Sequence, residues 1–418
     1  MSSQTKAIVS SFDDIWIIDG VRTPFADYNG VLGLVSPIDL GIKVAREVFN
    51  RSGVSPEDVG AVVTGCMAQA CYDAYVLPRH VGLYAGVPRE VPATLVQRVC
   101  GTGVEILMQA ADAITLGKIQ LGLCVGTESM SRNPIAAYTH RGGFLLGRVE
   151  FKDFLYEALM DTVAGVSMGD CAEYLAREYN LSREEVDNFA FDSFERALAA
   201  QADGFLDGEI TPVRTEEFKL EGYNTRGIKL SRKVEELAID NHVRATSMDV
   251  LAKLRPAFGG VQTAGNSSAI VDGAAAALVG SGEYIRSNSI KPLGRMVAGC
   301  VVGVPPENMG IGPVAAIRPL LEKLDLKVED IDRYDVNEAF GAQCLAVERE
   351  LGIDHAKFNV NGGAIAVGHP LGATGVRLSM TVARELKRSG TRYGIASACI
   401  GGGQGIALLI ENPDLTSK

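Results

Sequence analysis

Two cysteines and one histidine lie in three glycine-lined turns. Cys100 stands in Arg98-Val99-Cys100-Gly101-Thr102-Gly103, His369 in Gly368-His369-Pro370-Leu371-Gly372, and Cys399 in Cys399-Ile400-Gly401-Gly402-Gly403-Gln404-Gly405. These groups suit thiol-based acyl chemistry. One thiol attacks a carbonyl carbon, an imidazole takes its proton, and a second thiol moves a proton on the substrate. Glycines beside them let backbone N–H groups approach the reacting oxygen and stabilise its charge. Cys100 precedes a run, Gly101 to Leu107, that reads as the start of a buried helix, where a thiol pKa is lowered. A lone cysteine is more often a small core residue, and it is the company of the other two groups that favours chemistry here. Five glycines between Asn359 and Gly375 mark a closely approached backbone around His369. The Lys-Ser/Thr ending of a phosphate loop is missing there, so a rigidly held histidine that serves a thiol fits better. Asn337-Glu338-Ala339-Phe340 follows an apolar strand. Its polar pair can position a water or an oxyanion, or it can cap the next helix.

The elements that must position these turns repeat. Glu57 to Val63 resembles Glu329 to Asp335, and Leu121 to Gly126 resembles Tyr393 to Ala398, both at an offset of 272 residues. Apolar strands alternate with amphipathic helices in each half, which predicts a layered α/β fold. Strands are expected at Ile15–Ile18, Ala61–Thr64, Leu121–Val125, Ala274–Gly280, Arg295–Val302, Arg333–Val336, Gly394–Ala398 and Gly405–Ile410. Roughly from Ser131 to Arg255 the chain is richer in charge and aromatics, which reads as an insertion placed to form a substrate lid. Within it, Ser182 and Glu185 form a capping box ahead of a helix reaching about Ala200, with Val186, Phe189, Ala190, Phe194 and Ala197 at helical spacing.

With 418 residues the chain can hold two or three domains. Lys plus Arg is 40 against 51 for Asp plus Glu, a net charge of -11, which argues against a nucleic-acid partner. The eight cysteines form no dense disulfide or zinc pattern, the nearest pair being Cys66 and Cys71, and predict a reduced, intracellular protein. No metal site is expected. Met1 to Asp14 carries only Lys6 as a basic residue, and the end, Leu415-Thr416-Ser417-Lys418, is not a Ser-Lys-Leu address, so a cytoplasmic location is expected. No apolar run reaches membrane-spanning length.

Five motifs in order then carry a specific resemblance: Cys-Gly-Thr-Gly at Cys100, Gly-Thr-Glu-Ser-Met-Ser from Gly126 to Ser131, Asn-Glu-Ala-Phe at Asn337, Gly-His-Pro-Leu-Gly at His369, and Cys-Ile-Gly-Gly-Gly at Cys399. Over nearly its whole length, from Val21-Arg22-Thr23-Pro24-Phe25 to Ala407–Glu411, the chain resembles the thiolases, that is, 3-ketoacyl-CoA thiolases and acetyl-CoA acetyltransferases. The resemblance implies duplicated βαβαβαββ halves that form a five-layered α-β-α-β-α core with an inserted loop domain. Residues 1–130 plus 256–282 would be the amino-terminal half, 131–255 the loop domain, and 283–418 the carboxy-terminal half.

By the same resemblance, Cys100 would attack the 3-keto carbon and become acylated, His369 would take its proton, and Cys399 would protonate the departing acetyl-CoA enolate. Backbone N–H groups of Cys100 and Gly401 would hold the thioester oxygen. A water held by Asn337, together with His369, would stabilise the enolate oxygen. Coenzyme A would be a co-substrate, with no permanent cofactor, and would meet Ser268, Met168, Met309, Phe340 and Ala339. Lys219, Lys229, Arg232 and Lys233 could meet its phosphates. Ser167 stands where short-chain members carry a histidine and would leave room for a longer acyl chain. The turns at Cys399 and at Met309-Gly310-Ile311-Gly312-Pro313 look more like degradative members, with the biosynthetic acetoacetyl-CoA reaction as the alternative. A ketoacyl synthase would have histidine or asparagine in the slot of Cys399, and a non-catalytic acyl-CoA carrier would have lost a reactive group. A homodimer through the sheets, or a homotetramer through Tyr138 to Gly147, is also implied.

Overall fold

Strands form wherever an apolar run is bounded by turn residues. In the computed structural model those along the main sheet are β1 (Ile8–Arg22), β2 (Ala61–Gly65), β3 (Ala93–Val96), β4 (Leu121–Ser129), β5 (Val271–Ser281), β6 (Gly294–Gly303), β7 (Arg333–Val336), β8 (Tyr393–Ile400) and β9 (Gln404–Glu411), with a two-residue strand, Ala26–Asp27, paired to β5. The helices that matter for the site are α1 (Pro37–Ser52), α2 (Leu77–Tyr84), α3 (Thr102–Thr115), α4 (Met168–Glu178), α5 (Arg183–Ala202), α6 (Gly312–Leu324), α7 (Gly341–Leu351) and α8 (Leu371–Ser389). The structure describes residues 6–68, 72, 74–138, 140–231 and 233–416. The readings made at Met1 to Thr5, Cys71, Thr139, Arg232 and Ser417-Lys418 lie outside the described residues.

Pairing order shows the duplication. The first half runs β3-β2-β4-β5-β1 and the second β7-β8-β9-β6, so β2 corresponds to β7 and β4 to β8 at the expected offset. The two halves meet at their equivalent first strands. β1 pairs antiparallel with β6 from Ile8↔Val301 to Ile17↔Gly294, and its other end pairs with β5 from Ile15 to Arg22. The halves therefore share one continuous sheet. Helices α1 and α2 cover the outer face of the first half and α6 that of the second, while α3 and α8 lie between them. That stacking gives five layers. Strands β4, β5 and β9 are buried nearly throughout, which is why they read as continuous apolar runs rather than alternating ones.

The third strand of the second half is reduced to a single parallel bridge between Tyr334 and Phe358. The Asn359 side chain takes over the missing ladder. Its Oδ1 accepts from Val336 N at 2.8 Å and its Nδ2 donates to Val336 O at 2.9 Å. Helix α5 covers this edge, with Phe189 against the Phe358 ring and the Ser193 carbonyl against Gly362. Ser182 caps α5 as expected, and all five apolar positions are buried. The part of the insertion around α5 is thus packed into the core rather than hinged over it as a lid.

One buried arginine fastens the insertion to the halves. Arg22, at the end of β1, donates to Glu209 at 2.7 Å and to both oxygens of Asp240 at 2.6 and 2.8 Å, with all three side chains fully buried. Thr381 of α8 donates to the other Glu209 oxygen at 2.8 Å, and Phe25 N to Asp240 at 2.7 Å. Removing one partner of such a pair leaves uncompensated buried charge. Arg22→Met is expected to lose about 3–5 kcal/mol of stability, measured by urea unfolding. A loss below about 1 kcal/mol would show that the two carboxylates find other partners.

Candidate active site

The two central helices cross where neither has a side chain. A Cβ added to Gly103 of α3 would lie 2.6 Å from the backbone nitrogen of Gly375 in α8, and these two glycines are 272 residues apart. This contact sets the starts of both helices side by side. Cys100 lies two residues before α3 and His369 two residues before α8. The residue before Cys100, Val99, has a φ of 43°. A β-branched residue in that region is strained by about 1–3 kcal/mol, a feature with no signature in the residue pattern. Thr102 steadies the turn, donating to Val99 O at 2.6 Å and accepting from Arg98 N at 2.9 Å.

Cys100 was expected to carry a lowered pKa, and its surroundings reverse that. Burial pushes the thiol up to about 11, outweighing hydrogen bonds to its sulfur from the N–H groups of Gly401 and of Cys100 itself, while the buried Glu128 carboxylate raises it further. Met67, Met130, Leu155 and Leu371 form the apolar cluster beside it. Burial, helped by the positive charge of Arg377, pushes His369 down to about 3. The resting pair is therefore a neutral thiol and a neutral imidazole. Burial also drives the Cys399 thiol well above its ordinary value, with the neighbouring Cys100 adding to the shift.

Asn337 does not cap a helix; Phe340 occupies the cap position of α7. Instead its Nδ2 lies 3.3 Å from His369 Nε2, and its Oδ1 is buried without a hydrogen-bond partner among the described residues. The neighbouring Glu338 is structural: it accepts from Ser193, Asn359 and Ile365 N and shapes the loop. Cys399 ends β8 ahead of Gly402 and Gly403, whose φ values of 85° and 82° suit glycine.

Four candidate coenzyme residues, Met168, Met309, Ala339 and Phe340, pack with Cys399, Cys171 and Ala172 in one buried cluster. Ser268 joins them through its N–H, which donates to Ala339 O at 3.0 Å. It lines a cavity of about 540 Å³ together with Phe258, His242 and Arg244. Lys219, Lys229 and Lys233 are not among the described residues lining it; Lys219 pairs with Glu217 and Lys229 faces another cavity beside Arg132. The cation among the described residues lining this cavity is Arg244, beside His242, whose pKa burial and the Arg244 charge lower; both were missed in the sequence because a His-Val-Arg run has no distinctive spacing. Ser167 caps α4 in a reciprocal box with Asp170, its hydroxyl donating to that carboxylate at 2.7 Å. That hydroxyl is committed to the helix start, whatever room its small size leaves. No group of three or more potential metal ligands occurs among the described residues, nor is any described helix long and apolar enough to cross a membrane. The seven described cysteines are free thiols.

Comparison with known proteins adds to this geometry. A family model described as "Thiolase, N-terminal domain" matches residues 15–283, and one described as "Thiolase, C-terminal domain" matches residues 290–412. The chain is 40% identical over 402 residues to the mitochondrial 3-ketoacyl-CoA thiolase of Bos taurus, covering 95% of this chain and 98% of that protein. It is also 40% identical over 409 residues to a beta-ketoadipyl-CoA thiolase of Acinetobacter baylyi, with the same coverage. The human mitochondrial 3-ketoacyl-CoA thiolase, solved in complex with CoA, is similar with a TM-score of 0.89 at 39% identity, covering 95% of this chain and 98% of that one.

A thiol whose pKa is raised ionises only in alkaline solution. Alkylation of Cys100 by iodoacetamide in the free protein is therefore expected to keep accelerating from about pH 7 to about pH 10, past the ordinary thiol value of about 8.5. Peptide mass spectrometry of Cys100 follows the rate. A rate already level between about pH 7 and 8 would instead reveal a thiolate at neutral pH.

Proposed function

The chain belongs to the thiolase family, and from that premise we propose that it cleaves 3-ketoacyl-CoA with coenzyme A, through an acyl-Cys100 intermediate, in the degradative direction. The observation that carries this reading is the convergence of three turns: a Cβ on Gly101, beside Cys100, would lie 2.5 Å from Ile400, beside Cys399, while His369 stands two residues before the helix that crosses α3 at Gly103.

Cys100 Sγ adds to the 3-keto carbon as its proton passes to His369 Nε2. The bond between the second and third carbons then breaks, and its electron pair forms the acetyl-CoA enolate. Cys399 protonates the second carbon, releasing acetyl-CoA. The incoming coenzyme A thiol gives its proton to the Cys399 thiolate and attacks the acyl-Cys100 carbonyl. Cys100 leaves and regains its proton from His369, so both groups return to their starting state. The N–H groups of Cys100 and Gly401, which both act to lower the pKa of the Cys100 thiol, would hold the thioester oxygen. Asn337, beside His369 Nε2 and with a free Oδ1, is suited to hold a water at the enolate oxygen. Coenzyme A is a substrate here, and the cavity bearing Ser268, His242 and Arg244 suits its pantetheine and phosphate groups. The degradative direction rests on the turns at Cys399 and Met309; the acetoacetyl-CoA synthesis reading is the alternative. Turnover of a 3-ketoacyl-CoA series against condensation of acetyl-CoA compares the two directly.

In the same reading the chain divides into residues 1–130 plus 256–282, residues 131–255 and residues 283–418. The segment from Tyr138 to Gly147 would join two dimers, since Phe144, Leu145 and Leu146 are exposed at its tip. Leu146→Asp is expected to convert a tetramer to dimers in light scattering; a tetramer that survives would assign the contact elsewhere.

Separate tasks for the two thiols give separate losses. Cys100→Ala is expected to lose the acyl adduct and at least about 10³-fold of thiolysis. Cys399→Ala should still acquire an acyl group on Cys100 from acyl-CoA, yet lose about 10²- to 10⁴-fold of carbon–carbon cleavage. Intact-mass analysis and coupled assays read both. An adduct confined to Cys399 would reverse the assignment.

A further inference from the structure

We propose that Thr374 is a positioning residue that fixes the tautomer of His369, keeping the ring proton on Nδ1 and leaving Nε2 bare toward the reacting thiol. This rests on the thiolytic reading above, in which Nε2 receives the Cys100 proton. Thr374 lies in the first turn of α8 and is fully buried. Its Oγ1 is 2.6 Å from His369 Nδ1 and 3.1 Å from the Pro370 carbonyl oxygen. A hydroxyl has one proton, and a carbonyl oxygen only accepts. With the Thr374 proton on Pro370 O, Oγ1 presents a lone pair to the ring and Nδ1 is the N–H; with that proton turned to Nδ1, the ring would carry its own proton on Nε2 instead.

The opposite edge of the ring decides between the two. Asn337 Nδ2, which only donates, lies 3.3 Å from Nε2. A neutral imidazole has one ring proton, and burial together with Arg377 keeps this ring neutral. One partner that accepts at Nδ1 and one that donates at Nε2 select a single tautomer between them. The other tautomer would point an N–H at the thiol and could take no proton from it. Sequence alone did not show this role, because a threonine in Gly-His-Pro-Leu-Gly-Ala-Thr-Gly looks like an ordinary first-turn residue.

The substitution that tests the idea leaves the helix start satisfied. In Thr374→Val the Pro370 carbonyl keeps the backbone N–H groups of residues 373 and 374, at the 2.9 and 3.0 Å seen now, while His369 Nδ1–H loses its acceptor. With five histidines in the chain, nitrogen-15 NMR of histidine-labelled protein resolves the rings, and His369→Asn assigns the signal. The wild type is expected to show a protonated Nδ1 and a bare Nε2. Thr374→Val should shift toward the Nε2–H form or a mixture, with kcat for thiolysis down about 10- to 100-fold, the range for partners that orient an active histidine. KM should stay within about threefold, and Thr374→Ser should restore both tautomer and kcat. A wild type protonated at Nε2, or a folded Thr374→Val with unchanged tautomer and kcat, overturns the proposal. Should the valine variant fail to fold, the wild-type spectrum and the serine variant still decide. A wild type with the Nδ1–H tautomer but no thiolytic turnover would instead defeat the proposed reaction and leave the positioning intact.

Discussion

The site depends on one steric constraint, the crossing of α3 and α8 at Gly103 and Gly375. Any Cβ at either glycine would strike the backbone of the other helix, so the two helix starts can approach only because both positions are bare. Further bare contacts extend the approach. Gly126 of β4 lies against the Gly372 carbonyl, and a Cβ at Gly372 would meet the Gly65 and Thr127 carbonyls, both at 2.8 Å. Cys100 comes from one half of the duplication, and His369, Asn337 and Cys399 from the other. Neither half holds the whole proposed set, and the crossing is what brings it together.

That assembly sets the electrostatics. A site close-packed enough to seat two thiols and an imidazole excludes water from them, and desolvation disfavours every charged form. Thiol and imidazole consequently rest neutral, in contrast to a thiolate activated in advance by a helix start. Two backbone N–H groups, of Gly401 in the turn after β8 and of Cys100 itself, act against the shift, and burial outweighs them. In the proposed reaction, proton transfer would then accompany carbon–sulfur bond formation, and the same N–H groups would become available as the sulfur is acylated. Strain at Val99 belongs to the same design, since the backbone must turn sharply to aim Cys100 between the two helix starts.

How much of this was legible depended on the range of the cause. Strands with long apolar runs and the Ser182–Glu185 box were readable because their causes are local. So were the glycine-lined turns, since close approach leaves a compositional trace. The direction of the Cys100 pKa was not, because it depends on Met67, Met130, Leu155 and Leu371, brought together from four separate segments. Nor was the lost third strand, since Asn359 imitates a ladder by its side chain and α5 hides the edge. Ser167 was read for its size, while its hydrogen bonds to Asp170 identify it as a cap; both readings start from the same residue and only the structure weighs them.

Glu128 shows how the halves are kept in register. It comes from the end of β4, is fully buried, and accepts from the N–H groups of Met67 and Ala68 in the first half, at 2.9 and 3.1 Å, and of Gly372 in the second, at 3.0 Å. Burial raises its pKa, and these three N–H groups with the Cys66 thiol act against that. A cation in place of these donors would have drawn the Cys100 thiol toward its ionised form. Backbone N–H groups satisfy the carboxylate without adding full positive charge. The carboxylate can thus tie the turn that carries His369 to the loop that lines Cys100, while its own charge favours the neutral thiol from which the proposed proton transfer to His369 would start.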